Sequence, residues 1–162
     1  MKLWFNLFCQ DIDALQQFYQ ALLQLPEAVG TQSPIYRAVE TESFQLGFNA
    51  PAAYALLGLG DRTPPDGQQI AVTGYATFML DNPDAVTATS HHAAALGGRI
   101  VKAPYATYYG QWQAVLADPE DNVFRLSAIG LPTAGAAGAR NALLEPKLGR
   151  LIHRHADGSE DH

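Results

Sequence analysis

The spacing of apolar side chains changes twice within the first fifty residues. Residues 2–9 are a run dominated by apolar and aromatic groups (Leu3-Trp4-Phe5-Asn6-Leu7-Phe8-Cys9). After Asp11, the apolar positions Ile12, Leu15, Phe18, Tyr19, Leu22 and Leu23 recur three and four apart. The run reads as a strand, and the later spacing lines one face of a helix. Asp11 is the expected N-cap, with Pro26 just past the last apolar turn. Strand candidates follow at about 27–32, 35–40 and 43–49, punctuated by Gly30, Ser33-Pro34 and Thr41-Glu42.

Residues 50–69 lose this pattern. Ala, Gly and Pro dominate, and Asp61-Arg62-Thr63-Pro64-Pro65-Asp66-Gly67 continues neither strand nor helix. The pattern then returns with a strand over 73–81. Asn82-Pro83 supplies a cap with proline at the first helical position, and a helix to Leu96 stops at Gly97-Gly98. Further strands are expected at about 99–104, 111–117 and 122–128. The order is β-α-β-β-β, linker, β-α-β-β-β. A shift of 71 places Trp4 on Tyr75, Asp11 on Asn82 and Asp13-Ala14-Leu15 on Asp84-Ala85-Val86; a shift of 80 places Phe44-Gln45-Leu46 on Phe124-Arg125-Leu126. One such module leaves a sheet face bare, so two must pair to bury it. The expected fold class is α+β, two tandem βαβββ modules forming a curved mixed sheet around a cavity. Module one spans 1–50, the linker 51–70 and module two 71–129, together one domain. Residues 130–162 read as an Ala/Gly linker and a short amphipathic helical tail, with Leu144, Leu148, Leu151 and Ile152 at helical spacing.

Composition narrows the function classes. With 162 residues, 48% hydrophobic and 16% charged, the chain can bury a core and is not intrinsically disordered. A formal net charge of -6 gives no basic footprint for nucleic acid. The single cysteine, Cys9, excludes an internal disulfide and a thiolate metal cluster. No secretory-signal pattern opens the chain and no run approaches the ~18 apolar residues of a membrane span. The expectation is a cytoplasmic protein without nucleic-acid or membrane partners. His91 and His92 are neighbours on a helix and point about 100° apart, unsuited to joint chelation. No Ser-His-Asp order, glycine-rich phosphate loop or zinc-protease motif is present.

The segment Ala117-Asp118-Pro119-Glu120-Asp121-Asn122-Val123-Phe124-Arg125-Leu126 carries a resemblance, supported by Gly97-Gly98-Arg99-Ile100-Val101 leading to Gly110, and by Phe18-Tyr19. On these residues the chain resembles the vicinal-oxygen-chelate superfamily (glyoxalase, bleomycin-resistance and dioxygenase-like proteins) over residues 1–129. The resemblance implies paired βαβββ modules, a cavity under the sheet and a homodimer. Metal-using members hold their ion with side chains from the first and last strands of each module. Carried over, those places fall on Trp4, Gln45, Tyr75 and Arg125. Indole has no lone pair to give, neutral phenol is a poor ligand and guanidinium is a permanent cation, so only Gln45 could coordinate. The resemblance therefore implies a member without a metal or other cofactor, binding a small organic molecule, aromatic or an antibiotic, rather than catalysing. A metal-dependent lyase or dioxygenase with atypical ligands is the alternative. A regulatory or structural dimer with a filled cavity is the second.

Strand alternation sets Trp4, Asn6, Phe8, Gln45, Tyr75, Thr77, Met79 and Arg125 toward the cavity, and Phe5, Leu46, Phe78, Phe124 and their alternates toward the helices. The stretch Pro104-Tyr105-Ala106-Thr107-Tyr108-Tyr109-Gly110-Gln111-Trp112 adds four aromatics. From it, Tyr108 and Trp112 are expected to stack on a planar ligand. Arg125, where relatives place a carboxylate, is expected to clamp an anion or carbonyl oxygen; the alternative is a salt bridge to Glu40 or Glu42.

Overall fold

The helix-end signals are all used. In the computed structural model, which describes residues 1–68 and 71–133, Asp11 accepts the Ala14 N–H and Asn82 accepts the Ala85 N–H. Gly97 takes φ +95 just beyond the second long helix, a conformation that other residues adopt only under strain. The first module comprises β1 (Leu3–Phe8), α1 (Ile12–Leu23), β2 (Tyr36–Glu40) and β3 (Phe44–Asn49). A short α2 (Ala52–Leu56) follows. The second module comprises β4 (Ala76–Met79), α3 (Pro83–Ala95), β5 (Arg99–Ala106), β6 (Gln111–Ala117) and β7 (Val123–Ile129).

Hydrogen bonding divides the strands into two mixed sheets, ordered β1-β3-β2 and β4-β7-β6-β5. In each, the first strand runs parallel to the last, and the other pairs are antiparallel. The fold is α+β with tandem modules. Three expectations need correction. Residues 27–32 keep only a bridge from Glu27 to Val39, and Val29–Thr31 form a 3-10 turn. Pro26 and Pro34 bracket this short stretch around Gly30, and proline cannot donate to a ladder. The linker, expected as loop, contains α2 and a 3-10 turn at Gly60–Arg62. The first-strand equivalence is also shifted. Trp4 pairs with Gln45 and Thr77 pairs with Arg125, so Thr77, not Tyr75, matches Trp4; Tyr75 precedes β4. The caps Asp11 and Asn82 keep the offset of 71, because β1 runs four residues past Trp4 and β4 only two past Thr77, while three residues join each strand to its helix. Of the linker and helical tail expected over 130–162, residues 134–162 lie outside the described residues.

The modules meet through aromatics on their helix sides. Tyr19, from α1, is 5.5 Å from Phe48 and from Phe124, and Phe78 lies 6.2 Å away. Tyr19 also donates to Asp118 Oδ2 at 2.9 Å, in the turn before β7. Glu120 in the same turn accepts the backbone N–H groups of Gln10 and Asp11, just ahead of α1. The segment that carries the family resemblance thus joins the second module to the first.

Candidate functional site

Residues on the sheet faces opposite the helices divide unequally between the modules. In module one the chain covers its own face. Gln45 is fully buried, and its Nε2 donates to Thr31 Oγ1 at 2.8 Å, in the 3-10 turn that replaces the expected strand. Its Oε1 is the buried side-chain acceptor without a partner among the described residues. Phe8 stacks on Tyr54 of α2 with ring centroids 3.7 Å apart. Tyr36 donates to Asn6 Oδ1 at 3.0 Å, across a gap that exists because position 47 is glycine. Trp4, one strand over from Gln45, is about half exposed.

Module two leaves its face open at Tyr75 and Met79, each about half exposed, although Gln113 and Ser127 in its middle are buried. One row across the strands runs Thr77, Arg125, Val115, Lys102, and the next runs Met79, Ser127, Gln113, Tyr105. In a regular strand Lys102 and Tyr105, three apart, would point to opposite faces. Two register shifts in β5 bring both to this face, and the Lys102 ammonium sits 3.6 Å from the Tyr105 ring centre. Arg125 Nε donates to Thr77 Oγ1 at 3.0 Å, and the guanidinium carbon lies 5.3 Å from the Tyr75 ring centre. These contacts fix the plane of the guanidinium. Its terminal nitrogens meet no acceptor among the described residues, and neither Arg125 nor Lys102 has a carboxylate partner there. Glu40, expected as a possible partner for Arg125, pairs with Lys2 at 2.5 Å instead.

Below the cations lies an amide and hydroxyl network. Tyr105 donates to Gln113 Oε1 at 3.1 Å, and Gln113 Nε2 donates to Tyr109 Oη at 2.6 Å and to Gln111 Oε1 at 3.2 Å. Ser127 Oγ donates to Gln111 Oε1 at 2.7 Å. Burial pushes the Tyr105 hydroxyl above its ordinary range; Tyr109 adds to this, Arg125 opposes it and Tyr75 adds to it again. The phenol is thus a neutral donor.

The sequence-predicted residues fall into three groups. Tyr75, Thr77, Met79 and Arg125 share the module-two face, where Tyr75 and Met79 are each about half exposed. Trp4, Asn6, Phe8 and Gln45 belong to the module-one face. Trp112 lies apart from both. It packs into the core beneath α3, and its indole donates to Thr87 Oγ1 at 2.9 Å, so the expected aromatic lid loses this member. Tyr108 is largely exposed beside Tyr109. Sequence reasoning counted Tyr105 only in the aromatic loop and missed Lys102, because register shifts leave no local signal in sequence; Gln113, in the regular pairing of β6 with β7, was missed as well.

A metal does not fit these residues. With Thr77 replacing Tyr75, the carried-over places are Trp4, Gln45, Thr77 and Arg125. They supply one amide oxygen, Gln45 Oε1, one hydroxyl that already accepts from Arg125, an indole and a permanent cation, with no anionic donor among them. Among the described residues no cluster of three or more His, Cys, Asp or Glu side chains could hold an ion. A cavity of about 180 Å³ lies on the helix side between β1 and β4, and Tyr75 lines it too. Phe5, Leu7, Leu46 and Phe78 line it, and its one carboxylate, Asp121, is bonded to Arg99 at 2.5 Å.

A glyoxalase-like domain model matches residues 3–127. A crystal structure of a glyoxalase/bleomycin resistance protein/dioxygenase family enzyme from Burkholderia phytofirmans PsJN is 37% identical to this chain. The match covers 78% of this chain and 96% of that one, with a TM-score of 0.72. A lactoylglutathione lyase from Agrobacterium tumefaciens shares the fold at 16% identity, covering 85% and 96% of the two chains with a TM-score of 0.59. A caprolactamase subunit beta from Pseudomonas jessenii is 88% identical over 32 residues, which is 20% of this chain and 6% of that protein. The chain thus spans a small part of the curated relative it matches. No helix among the described residues is long and apolar enough to cross a membrane.

Proposed function

From the premise that this chain belongs to the glyoxalase-like domain family, we propose that it binds a small planar organic anion, without a metal, on the open face of module two. The observation that carries this reading is the Arg125 guanidinium. Thr77 and the Tyr75 ring hold its plane, its terminal N–H groups are unused, and no carboxylate pairs with it among the described residues. A guanidinium fork presented in this way matches the two oxygens of a carboxylate. Exposed aromatic and thioether surface at Tyr75, Met79 and Tyr108 supplies apolar walls for a flat ligand. Module one contributes structure rather than contacts, since its equivalent face is occupied by Thr31, Tyr54 and Tyr36.

The chain acts as a homodimer in this reading, as the family resemblance implies. Leu3, Trp4 and Phe5 expose 64%, 51% and 37% of their surface along the free edge of β1, an apolar strip that a second copy would cover. Light scattering on the purified chain measures that state directly.

The test of ligand binding is calorimetry with a set of aromatic carboxylates on wild type and Arg125→Met. Loss of a charge-assisted hydrogen bond is worth about 1.5–3 kcal/mol, so affinity should fall roughly 10- to 150-fold while the thermal midpoint of the free protein holds. An acid that binds both proteins equally makes Arg125 a structural residue.

A further inference from the structure

We infer that the ligand carries two anionic acceptor groups and no cationic one, and that Lys102 holds the second group while Arg125 holds the first. This deepens the function proposed above and rests on it. The observation behind it is the balance of donors and acceptors on the face. The amide oxygens of the polar floor and two of its hydroxyls already accept a hydrogen bond, Gln113 from Tyr105, Gln111 from Ser127, Thr77 from Arg125 and Tyr109 from Gln113, while the hydroxyls of Tyr105 and the fully buried Ser127 donate into the same network. What the face offers a ligand from the middle of the sheet is therefore donors, above all the Arg125 terminal nitrogens and the Lys102 ammonium. A ligand bringing its own ammonium or amidinium would meet two cations and no free carboxylate, and like charges in a partly desolvated site repel strongly.

Spacing turns one anion into two. Lys102 and Arg125 both pair with Val115, from opposite sides, so their backbones stand two strand spacings apart, about 10 Å. One carboxylate at the Arg125 fork leaves the Lys102 ammonium without a counter-charge. Lys102 rests on the Tyr105 ring and Arg125 over the Tyr75 ring, so each cation has an aromatic platform and an open side. A rigid ring with acidic groups at two positions spans such a pair without losing much conformational freedom on binding.

The experiment is an NMR titration of the isotope-labelled full chain with isophthalate, benzoate and benzylamine, each on wild type, Lys102→Met and Arg125→Met. Isophthalate is expected to bind wild type about 10-fold or more tightly than benzoate, the worth of one further charge-assisted hydrogen bond. Lys102→Met should bring isophthalate down to the benzoate value and leave benzoate unchanged, a pattern that loss of folding cannot imitate. Arg125→Met should weaken both acids, and benzylamine should shift no resonance of β5, β6 or β7. Equal affinity of wild type for the two acids, or insensitivity to Lys102→Met, overturns the two-anion inference and leaves the Arg125 reading standing. Benzylamine binding on this face overturns the donor-only reading. No shift with either acid overturns the face as a site, and the proposed function with it.

Discussion

Replacing Tyr19 with Phe removes one hydroxyl from the joint between the modules and leaves the aromatic packing in place. Asp118, only 3% exposed, loses the donor 2.9 Å from its Oδ2. It keeps Asn122 Nδ2 at 2.9 Å on the same oxygen, and the backbone N–H groups of Glu120 and Asn122 on the other. A hydrogen bond to a buried charged group is worth about 1.5–3 kcal/mol, and the surviving amide on Oδ2 favours the lower part, about 2 kcal/mol. For a chain of this size that corresponds to a fall of about 4–8 °C in Tm. The pH dependence separates this cause from lost packing. Burial raises the Asp118 pKa above the ordinary aspartate value, with the bonds from Asn122, Tyr19 and Glu120 opposing the rise. Because the folded pKa lies above the unfolded one, the folded state holds the proton more tightly. The stability this group supplies is present in acid and is lost as pH rises through the folded pKa. Without Tyr19 the folded pKa climbs further and more stability is lost on ionisation. The cost of Tyr19→Phe is therefore largest at neutral pH and shrinks toward the acid edge of the folding range. Urea unfolding of both proteins at several pH values measures it. A cost below about 0.5 kcal/mol at neutral pH, or one independent of pH, would refute the hydrogen-bonded joint.

A Cβ at Gly47 would collide with the Tyr36 hydroxyl and Asn6 Oδ1. Gly47→Ala should cost about 1–3 kcal/mol by urea unfolding, and much less in an Asn6→Ala/Tyr36→Ala background, where both obstacles are gone. The Cys9 thiol is pushed up to about 12, by burial first and then by Glu120, Asp118 and Asp11. A thiol-disulfide reagent at neutral pH should label it only under unfolding conditions; fast labelling of native protein would contradict its burial.

Helix ends and module order were legible because their signals are local. Asp11, Asn82-Pro83 and Gly97 each act within a few residues of themselves, and all three work in the fold as their chemistry suggests. The alternation of Thr77, Met79 and Arg125 was readable for the same reason, since a strand has a period of two. Long-range pairing was not readable. The first-strand equivalence of Trp4 with Thr77 depends on which residue β7 meets, and helix caps spaced by 71 do not report it. Trp112 looked like part of an aromatic loop because three tyrosines precede it. It is instead the second residue of β6, and alternation with buried Ala114 and Leu116 turns it to the helices. Lys102 and Tyr105 reach one face only through irregular pairing with β6. The occupied face of module one was hidden as well, because its cover comes from Thr31 and Tyr54, in segments without periodicity.

Binding through Arg125 with no metal is tested most directly by titrating one aromatic carboxylate into chelator-treated protein, then into the same protein resupplied with zinc, nickel, iron or manganese. Affinity unchanged by treatment and by resupply, within about twofold, is the expected result, since the guanidinium carries the charge that holds the acid. Binding that vanishes with the chelator and returns with about one ion per chain would contradict it and place the chemistry on a metal.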